Sequence, residues 1–342
     1  MDRMVTVSEQ DGAFPVAPGM SVLEAALRAN RWLPHACSQG TCGTCKIRVL
    51  SGEVDHGAAD ETILSADERS SGLALACQSK PHGDLAIAPV NDADPGRPMH
   101  PLRDYTGTVR ELSDIARQTR RLVVELDEPM EFDAGQYAEL IVPGSVVARQ
   151  YSMANPPSEQ RLLEFHVRNT AGGLATEGWI FDSLAVGDRI DLRGPLGQFA
   201  VVEAREEPAI LIGGGTGLAP LKSIVRHALD HDLLPAIHLY HGGRREADLY
   251  DVECFRAMEA TDSRFHYHPV LSEENWDGAT GMVTDAVLGD FASCRGHSAY
   301  LCGPPAMVAA AVKALKRRRM SPRLIFKEEF TVNDPRPAAE AV

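Results

Sequence analysis

The stretch that decides the fold of the N-terminal quarter is Cys37-Ser-Gln-Gly-Thr-Cys42-Gly-Thr-Cys45, which spaces three thiols as C-x4-C-x2-C. A fourth thiol, Cys77, follows further along the chain. Two irons need four thiolates that converge on a small volume, and one loop with this spacing supplies three of them. Structural zinc more often uses two C-x2-C pairs, and this quarter contains one such pair. The spacing therefore favours a [2Fe–2S] cluster over a zinc site or four buried free thiols.

Residues 1–90 resemble a plant-type ferredoxin, because the C-x4-C-x2-C loop and a distant fourth cysteine occur together. The resemblance implies a β-grasp fold. Short alternating stretches at 4–7 and 46–50 suit its strands, and residues 21–30 carry apolar side chains at helical spacing. The implied metal ligands are Cys37, Cys42, Cys45 and Cys77.

The overall charge of the chain limits its partners. The 342 residues carry a formal net charge of 34 − 48 = −14. This balance disfavours binding to nucleic acid or to an anionic membrane, since both need clustered positive charge. The sequence has no apolar run of about 18 residues that would span a membrane, and its N-terminus lacks the layout of a signal peptide. We therefore expect a cytoplasmic protein, where disulfides are rare.

The sequence pattern changes twice after the cysteine loop. A segment rich in Pro, Asp and Gly at 91–101 is typical of a linker. Residues 102–203 contain strand-like runs separated by glycine turns, which predicts an antiparallel barrel or sandwich with one short helix near 174–184. After about residue 205, strands alternate with helical stretches, which predicts a doubly wound parallel sheet. The expected fold is multidomain, α+β and α/β, with domains at 1–95, 102–204 and 205–342.

One strand-like run contains Arg149-Gln-Tyr151-Ser152. Arginine can hold a phosphate with two hydrogen bonds, and tyrosine offers a flat ring for stacking. On composition alone, an ordinary amphipathic strand would explain these residues. In context, however, the segment resembles the R-x-Y-S motif of the ferredoxin–NADP reductase superfamily. The resemblance implies that Arg149 contacts the FAD pyrophosphate, that Tyr151 packs on the flavin, and that Ser152 hydrogen-bonds flavin N5.

A second segment of the predicted barrel resembles the other flavin-binding part of that superfamily. A glycine turn opens the predicted short helix, and free N–H groups at a helix N-terminus suit a pyrophosphate. Gly194-Pro-Leu-Gly-Gln-Phe199 resembles the turn that closes the flavin barrel. For His166, a plain strand role is the alternative. The candidate flavin residues of this segment are His166, Val167, Arg168, Gly173, Leu174, Ala175 and Thr176.

Two motifs of the C-terminal part indicate a nicotinamide nucleotide. Gly213-Gly-Gly-Thr-Gly-Leu-Ala-Pro220 follows a strand and opens a helix, so its N–H groups can cradle phosphates. It differs from the G-x-G-x-x-G fingerprint, because Leu218 stands at the third glycine position. It does resemble the nicotinamide motif of the same reductases, as does Cys302-Gly-Pro-Pro305. The candidate residues are Gly214, Gly215, Thr216, Gly217, Cys302, Gly303 and Pro304.

The resemblance also implies roles for residues near the reacting atoms. It puts Cys302 near nicotinamide C4 and makes Phe330 the aromatic shield of the flavin, which adds Phe330 to the cofactor contacts. A buried inert thiol is the alternative for Cys302, and a plain edge strand for Glu328 and Phe330. The implied catalytic residues are Ser152, Cys302, Glu328 and Phe330.

The order of the three modules resembles the reductase component of a bacterial multicomponent oxygenase. The resemblance implies electron transfer from NADH through FAD and the [2Fe–2S] cluster to an oxygenase component. It favours a soluble diiron monooxygenase over a Rieske ring-hydroxylating dioxygenase. Residues 243–248 carry both signs of charge, so NADPH is also possible as the donor. A redox-sensing or electron-carrier module is the alternative of another class, but it would not need both nucleotide motifs.

Overall fold

The computed structural model describes residues 2–91, 99–145 and 147–331. The chain forms two compact units, Met1–Asp104 with Gly194–Gln198, and Tyr105–Arg193 with Phe199–Val342. Most of the linker predicted at 91–101 lies outside the described residues. Among the helices of the described ranges, none is long and apolar enough to cross a membrane.

The first unit is built on a five-stranded sheet with strand order β2-β1-β7-β3-β5. Its main helix buries the apolar face that the sequence predicts, with Val22, Leu23 and Leu27 among the buried side chains. This helix begins after Ser21, whose hydroxyl accepts a hydrogen bond from Glu24 N at 3.1 Å. The sheet and helix confirm the β-grasp fold. The strands are β1 (Arg3–Val7), β2 (Ala13–Val16), β3 (Lys46–Ser51), β4 (Val54–Asp55), β5 (Leu73–Leu75), β6 (Lys80–Pro81) and β7 (Leu85–Pro89), and the helices are α1 (Val22–Arg28) and α2 (Ala66–Ser70).

A six-stranded antiparallel barrel follows, with strand order β11-β10-β13-β8-β9-β12. An antiparallel bridge between Met153 and Phe165 joins the two ends of this order and closes the barrel. The helix predicted near 174–184 is shorter than expected, since only a π-helical turn forms at Thr176–Ile180, held by the buried Trp179 and Ile180. The strands are β8 (Arg103–Ala116), β9 (Thr119–Leu126), β10 (Tyr137–Ile141), β11 (Ala148–Ser152), β12 (Leu162–Arg168) and β13 (Arg189–Leu196).

The C-terminal part forms a six-stranded parallel sheet with strand order β17-β16-β15-β14-β18-β19. Successive side chains of its first strand enter different cores, with Leu211 in one and Ile212 in the other. Such two-sided burial is typical of a doubly wound sheet and confirms the prediction. The strands are β14 (Ala209–Gly214), β15 (Ile237–Gly243), β16 (Phe265–Leu271), β17 (Ala279–Thr280), β18 (Ser298–Gly303) and β19 (Ile325–Glu329), and the helices are α3 (Leu218–Asp230), α4 (Val252–Thr261), α5 (Val283–Asp290) and α6 (Pro305–Arg317).

The strand order fixes where a ligand would bind on this sheet. From β14 the chain moves outward through β15, β16 and β17, and then returns to place β18 on the other side of β14. The crevice at such a reversal, beyond the carboxyl ends of the strands, is the usual ligand site of doubly wound folds. The glycine-rich loop after β14 and the segment after β18 therefore meet where a dinucleotide is expected.

Candidate functional site

Two of the four thiols of the first unit, those of Cys45 and Cys77, are brought together by the antiparallel pairing of β3 and β5. Cys45 precedes β3 and Cys77 follows β5, and the register pairs Lys46 with Leu75. Ala76 N donates to Cys45 O at 2.9 Å, and the two sulfur atoms of Cys45 and Cys77 lie 3.2 Å apart. The sheet therefore brings the distant fourth cysteine to the end of the loop that carries the other three.

The loop around the other two thiols depends on glycine. Gly40 and Gly43 adopt φ values of +84° and +75°, a left-handed conformation that side chains disfavour. A Cβ at Gly40 would lie 2.9 Å from Cγ of Gln78, the residue next to Cys77. Gln39 N donates to the Cys37 sulfur at 3.4 Å, which is the kind of amide contact that holds a cluster ligand.

The electrostatics of the thiols also suit metal ligands. Hydrogen bonding with Cys42 lowers the pKa of Cys37 to about 5 and raises the pKa of Cys42. In the second pair, the pKa of Cys45 is lowered and that of Cys77 is raised by the same kind of contact. Each pair thus holds two sulfurs close enough to share one proton. Four soft donors in two such pairs fit a [2Fe–2S] cluster, and Cys42 is the exposed member.

In the second unit, parallel pairing aligns three motifs that are far apart in sequence. The register pairs Gly213 with Cys302 across β14 and β18, and Cys302 with Glu328 across β18 and β19. A Cβ at Gly217 would lie only 2.2 Å from the Cys302 carbonyl oxygen, so the loop after β14 can approach β18 this closely only because residue 217 is glycine. The glycine-rich loop, the Cys302 segment and the acidic end of β19 therefore form one edge.

The predicted flavin strand β11 reaches the same edge. Ser152 is buried and its hydroxyl donates to Glu328 Oε2 at 3.5 Å, while the Cys302 thiol lies 4.0 Å from that same oxygen. Burial raises the pKa of the Cys302 thiol, so it is held as a neutral group. The structure thus brings together three of the predicted catalytic residues. The fourth, Phe330, is half-buried, and its N–H donates to Gly303 O at 2.9 Å.

The other residues of the predicted flavin motif lie on the barrel. Tyr151 packs against the barrel core, and burial raises its pKa, so its hydroxyl stays protonated. Arg149 lies two residues earlier on the same face of β11, and its guanidinium donates to Ala148 O at 3.0 Å. A partly exposed arginine beside a packed aromatic ring offers a phosphate contact and a stacking surface together, which is what a flavin dinucleotide requires.

The glycine turn before the π-helical segment is tight. A Cβ at Gly173 would lie 2.4 Å from Thr176 Oγ1, and that hydroxyl donates to Thr170 O at 3.1 Å. Leu174 is exposed, while Ala175 is buried against the barrel core. Position 173 therefore has space only for glycine, and the backbone of the turn lies close to solvent. An accessible backbone of this kind suits contact with a phosphate.

The three predicted residues of β12 differ in their surroundings. Val167 lies in the barrel core. Arg168 reaches toward the glycine-rich loop, since a Cβ at Gly215 would lie 3.4 Å from its guanidinium. The His166 ring is fully buried, and its Nε2 lies 2.8 Å from Glu164 Oε1. The buried charges around His166 are not evident from the sequence, where Lys222, a lysine within the apolar run of α3, is the one signal that points to them.

Comparison with known proteins finds three domain families along the chain. Residues 5–82 match the 2Fe-2S iron-sulfur cluster binding domain. Residues 106–201 match the oxidoreductase FAD-binding domain, and residues 211–313 match the oxidoreductase NAD-binding domain. These matches agree with the cluster, flavin and nicotinamide motifs in the order in which the sequence presents them.

Several relatives match over nearly their whole length. The reductase subunit of an aromatic O-demethylase from Amycolatopsis sp. is 56% identical over 319 residues, covering 92% of this chain and 95% of the relative. The reductase component DmpP of phenol 2-monooxygenase from Pseudomonas sp. is 42% identical over 335 residues, covering 96% and 95%. A crystal structure of an Amycolatopsis cytochrome P450 reductase has a TM-score of 0.92 at 53% identity, covering 96% of this chain and 99% of that one.

The ligand assignment in the first unit predicts a selective effect of Cys42→Ala. The variant should lose the [2Fe–2S] absorbance and EPR signal. It should keep the NADH-driven reduction of a dye that accepts electrons from the flavin, because the nucleotide motifs lie in the other unit. Cys254→Ala, which removes a half-buried thiol of α4, is the matched control and should keep both properties. An undiminished cluster signal in Cys42→Ala would show that the assignment is wrong.

The position of Arg149 predicts weaker flavin retention in Arg149→Ala. Loss of one charge-assisted contact to phosphate should cost about 1.5–3 kcal/mol of binding free energy, or roughly tenfold or more in affinity. The flavin-to-protein ratio after gel filtration measures this loss. Arg189→Ala removes an exposed arginine of the same barrel, which pairs with Asp127, and should retain FAD. Equal flavin content in both variants would count against the role of Arg149.

Proposed function

The chain belongs to the reductase components of oxygenase systems, and on that premise we propose how its own residues carry electrons from NADH to an oxygenase component. It is an NAD(P)H-dependent oxidoreductase that uses FAD and a [2Fe–2S] cluster. The observation that carries the residue-level proposal is the convergence of Ser152, Cys302 and Glu328 at the edge of the parallel sheet, where β11 of the barrel also ends. A donor nucleotide and a flavin would meet there.

When bound, the nicotinamide supplies an electron pair, the flavin accepts the pair and releases single electrons, and the cluster carries one electron at a time. The protein binds and orients these groups. We assign the FAD pyrophosphate to Arg149 and to the glycine turn, and the flavin ring to Tyr151 and Phe330. In β12, we assign contacts to the backbone and to the Arg168 guanidinium, since the other two side chains point into the protein. The residues assigned to the turn are Gly173, Leu174, Ala175 and Thr176.

The residues around Glu328 orient the reacting rings and control water. Ser152 offers a hydroxyl that can turn from Glu328 to a flavin nitrogen. The neutral, fully buried Cys302 thiol provides a soft, dry surface for a nicotinamide ring. Phe330 covers the site from the end of β19. The nicotinamide nucleotide is assigned to the two loops of the sheet edge, with contacts at Gly214, Gly215, Thr216, Gly217, Cys302, Gly303 and Pro304.

NADH suits the segment after β15 better than NADPH does. Arg244 lies 3.6 Å from Glu273, so its charge is already partnered. Glu246 N donates to Glu274 Oε2 at 2.8 Å, which places a second carboxylate beside this segment. Carboxylates here can accept hydrogen bonds from a ribose hydroxyl, but they would repel a 2′-phosphate.

We propose a monooxygenase as the electron acceptor, with a cytochrome P450 as the first candidate and a diiron hydroxylase as the second. The first rests on the 56% identity to an aromatic O-demethylase reductase and on the match to the P450 reductase structure. The second rests on the phenol 2-monooxygenase relative and on the resemblance of the motifs. The expectation of a cytoplasmic protein is kept as part of this proposal, because exposed Cys42 would suit a reducing compartment.

We also propose three domains at 1–95, 102–204 and 205–342. The matched families at 5–82, 106–201 and 211–313 support this division. Residues 1–95 contain 7 basic and 13 acidic residues, so their formal net charge is 7 − 13 = −6, opposite in sign to that of a basic partner surface. An acidic cluster-bearing domain would steer toward such a surface.

The acceptor is tested by mixing the NADH-reduced holoprotein with two purified oxygenase components, a P450 O-demethylase and a diiron phenol hydroxylase. The P450 should be reduced faster, and its rate should fall as salt rises from low to about 0.5 M, because salt screens exposed charges. Faster reduction of the diiron component would select the second candidate. Reduction of a dye but of neither oxygenase would contradict the proposed acceptor class.

A further inference from the structure

Four charged side chains are gathered inside the second unit, between the barrel and the parallel sheet. Arg121 and Glu164 come from β9 and β12 of the barrel, and Lys222 and Asp251 come from α3 and the start of α4. Their exposed fractions are 24% and 14% for the first two, and 7% and 6% for the last two. We call these four residues the ion quartet.

In the ion quartet, each of the two cations contacts both carboxylates. Lys222 Nζ lies 2.9 Å from Glu164 Oε1 and 2.7 Å from Asp251 Oδ2. Arg121 Nε lies 3.0 Å from Glu164 Oε1, and its terminal nitrogen contacts Asp251 Oδ1. Each carboxylate is therefore held by one cation from the barrel, Arg121, and one from helix α3, Lys222. Removing one member would leave an uncompensated buried charge.

The pairing keeps Glu164 ionised. Burial alone would raise the pKa of Glu164, but the hydrogen bond from His166 and the charge of Lys222 hold that pKa well below its usual range. Burial lowers the pKa of His166, so its ring is neutral near pH 7. Glu164 is therefore a carboxylate that accepts hydrogen bonds from both cations of the ion quartet.

A metal ion is the obvious competing explanation. Ligand atoms of Glu164, His166 and Asp251 lie within 4.8 Å of one another. However, Lys222 and Arg121 both contact Glu164 Oε1, and they contact Asp251 Oδ2 and Oδ1 respectively. A divalent cation held by Glu164, His166 and Asp251 would have to displace these cationic side chains, so we reject this explanation.

Asp251 has a backbone conformation and a capping role that are unusual for an aspartate at the start of a helix. It has a φ of +54°, which is unusual for a residue other than glycine, and it stands at the N-cap of α4. An N-cap aspartate normally accepts from the helix N–H groups. Here its carboxylate contacts Lys222 and Arg121 instead. The ion quartet therefore holds the backbone at this point in a conformation that the helix alone would not select.

The backbone position of Asp251 affects the glycine-rich loop through Tyr250, the residue before it. Tyr250 is buried, and its hydroxyl donates to Gly215 O at 3.0 Å. Its ring also packs edge-on against His166, with ring centres 5.0 Å apart. Arg168, two residues beyond His166 on β12, also approaches the loop, since a Cβ at Gly215 would lie 3.4 Å from its guanidinium. Tyr250 and Arg168, which are close in sequence to members of the ion quartet, thus both lie near Gly215.

We propose that the ion quartet, acting through Tyr250, is a positioning device that sets the glycine-rich loop at Gly215 relative to β12 of the flavin barrel. Arg121, Glu164, Lys222 and Asp251 are then positioning residues for electron transfer from NADH to the flavin. This inference rests on the proposed function. None of the residues substituted in its test is itself assigned to direct cofactor contact.

The test compares Lys222→Met, Lys222→Arg and Tyr250→Phe in the full-length holoprotein. Arg226→Met is the matched control, because Arg226 lies one turn further along α3 and pairs with Glu159 of the barrel at 2.6 Å, where the two side chains are 30% and 39% exposed. Two properties are measured: hydrogen exchange of peptides covering 213–218, and the limiting rate and half-saturation concentration of anaerobic flavin reduction by NADH.

Lys222→Met and Tyr250→Phe should raise exchange in 213–218 and slow the limiting rate by about tenfold, since small misplacements of a bound reactant are costly. Lys222→Arg should recover much of both, and Arg226→Met should match the parent protein. If Lys222→Met does not fold, Tyr250→Phe decides, because it removes only one hydroxyl.

Unchanged exchange and unchanged limiting rate in Tyr250→Phe and Lys222→Met would overturn the proposal, even if their melting temperatures fall. Equal effects in Arg226→Met would also overturn it, because any link between α3 and the barrel would then suffice. Failure of the proposed function gives a different result, since the parent holoprotein would then not be reduced by NADH at all.

Discussion

The pairing of β14, β18 and β19 is the constraint on which the electron-entry site depends. It sets Gly213, Cys302 and Glu328 side by side, although Cys302 and Glu328 are 26 positions apart in the chain and Gly213 and Cys302 are much further apart. Parallel strands end at the same edge, so whatever follows each strand is delivered to one place. The approach of Gly217 to the Cys302 carbonyl then closes the edge so tightly that a side chain at this glycine would collide with backbone.

The flavin residues of the barrel must lie next to this edge of the parallel sheet. Buried charged side chains contribute to the alignment of the barrel with the sheet. Ser152 meets Glu328 at the end of β11, while Lys222 and Arg121 cross between the barrel and the sheet. Such pairs add little net stability, since desolvation offsets their attraction. They are nevertheless directional, and a misaligned arrangement would leave buried charges unpaired. The arrangement therefore favours one alignment of the two parts over others of similar apolar burial.

The sequence predicts most of the fold because its signals are local. The spacing of Cys37, Cys42 and Cys45, the glycine-rich loop and the alternation of strands and helices each appear within a short stretch. The helix predicted near 174–184 forms only over Thr176–Ile180, as a π-helical segment whose Trp179 and Ile180 are buried. The ion quartet could not be predicted, since Lys222 and Asp251 pair only after α3 and α4 pack. The described residues do not distinguish one acceptor from another, so the P450 candidate rests on the relatives.

In the proposed electron path, electrons enter at the sheet edge of the second unit and leave through the thiol loop of the first. Anaerobic rapid mixing of the holoprotein with NADH tests it directly, with flavin absorbance and the EPR signal of the reduced cluster followed in time. We expect loss of oxidised-flavin absorbance first and growth of the cluster signal afterwards. A cluster signal that grows before the flavin changes, or a flavin that NADH leaves oxidised, would contradict the account.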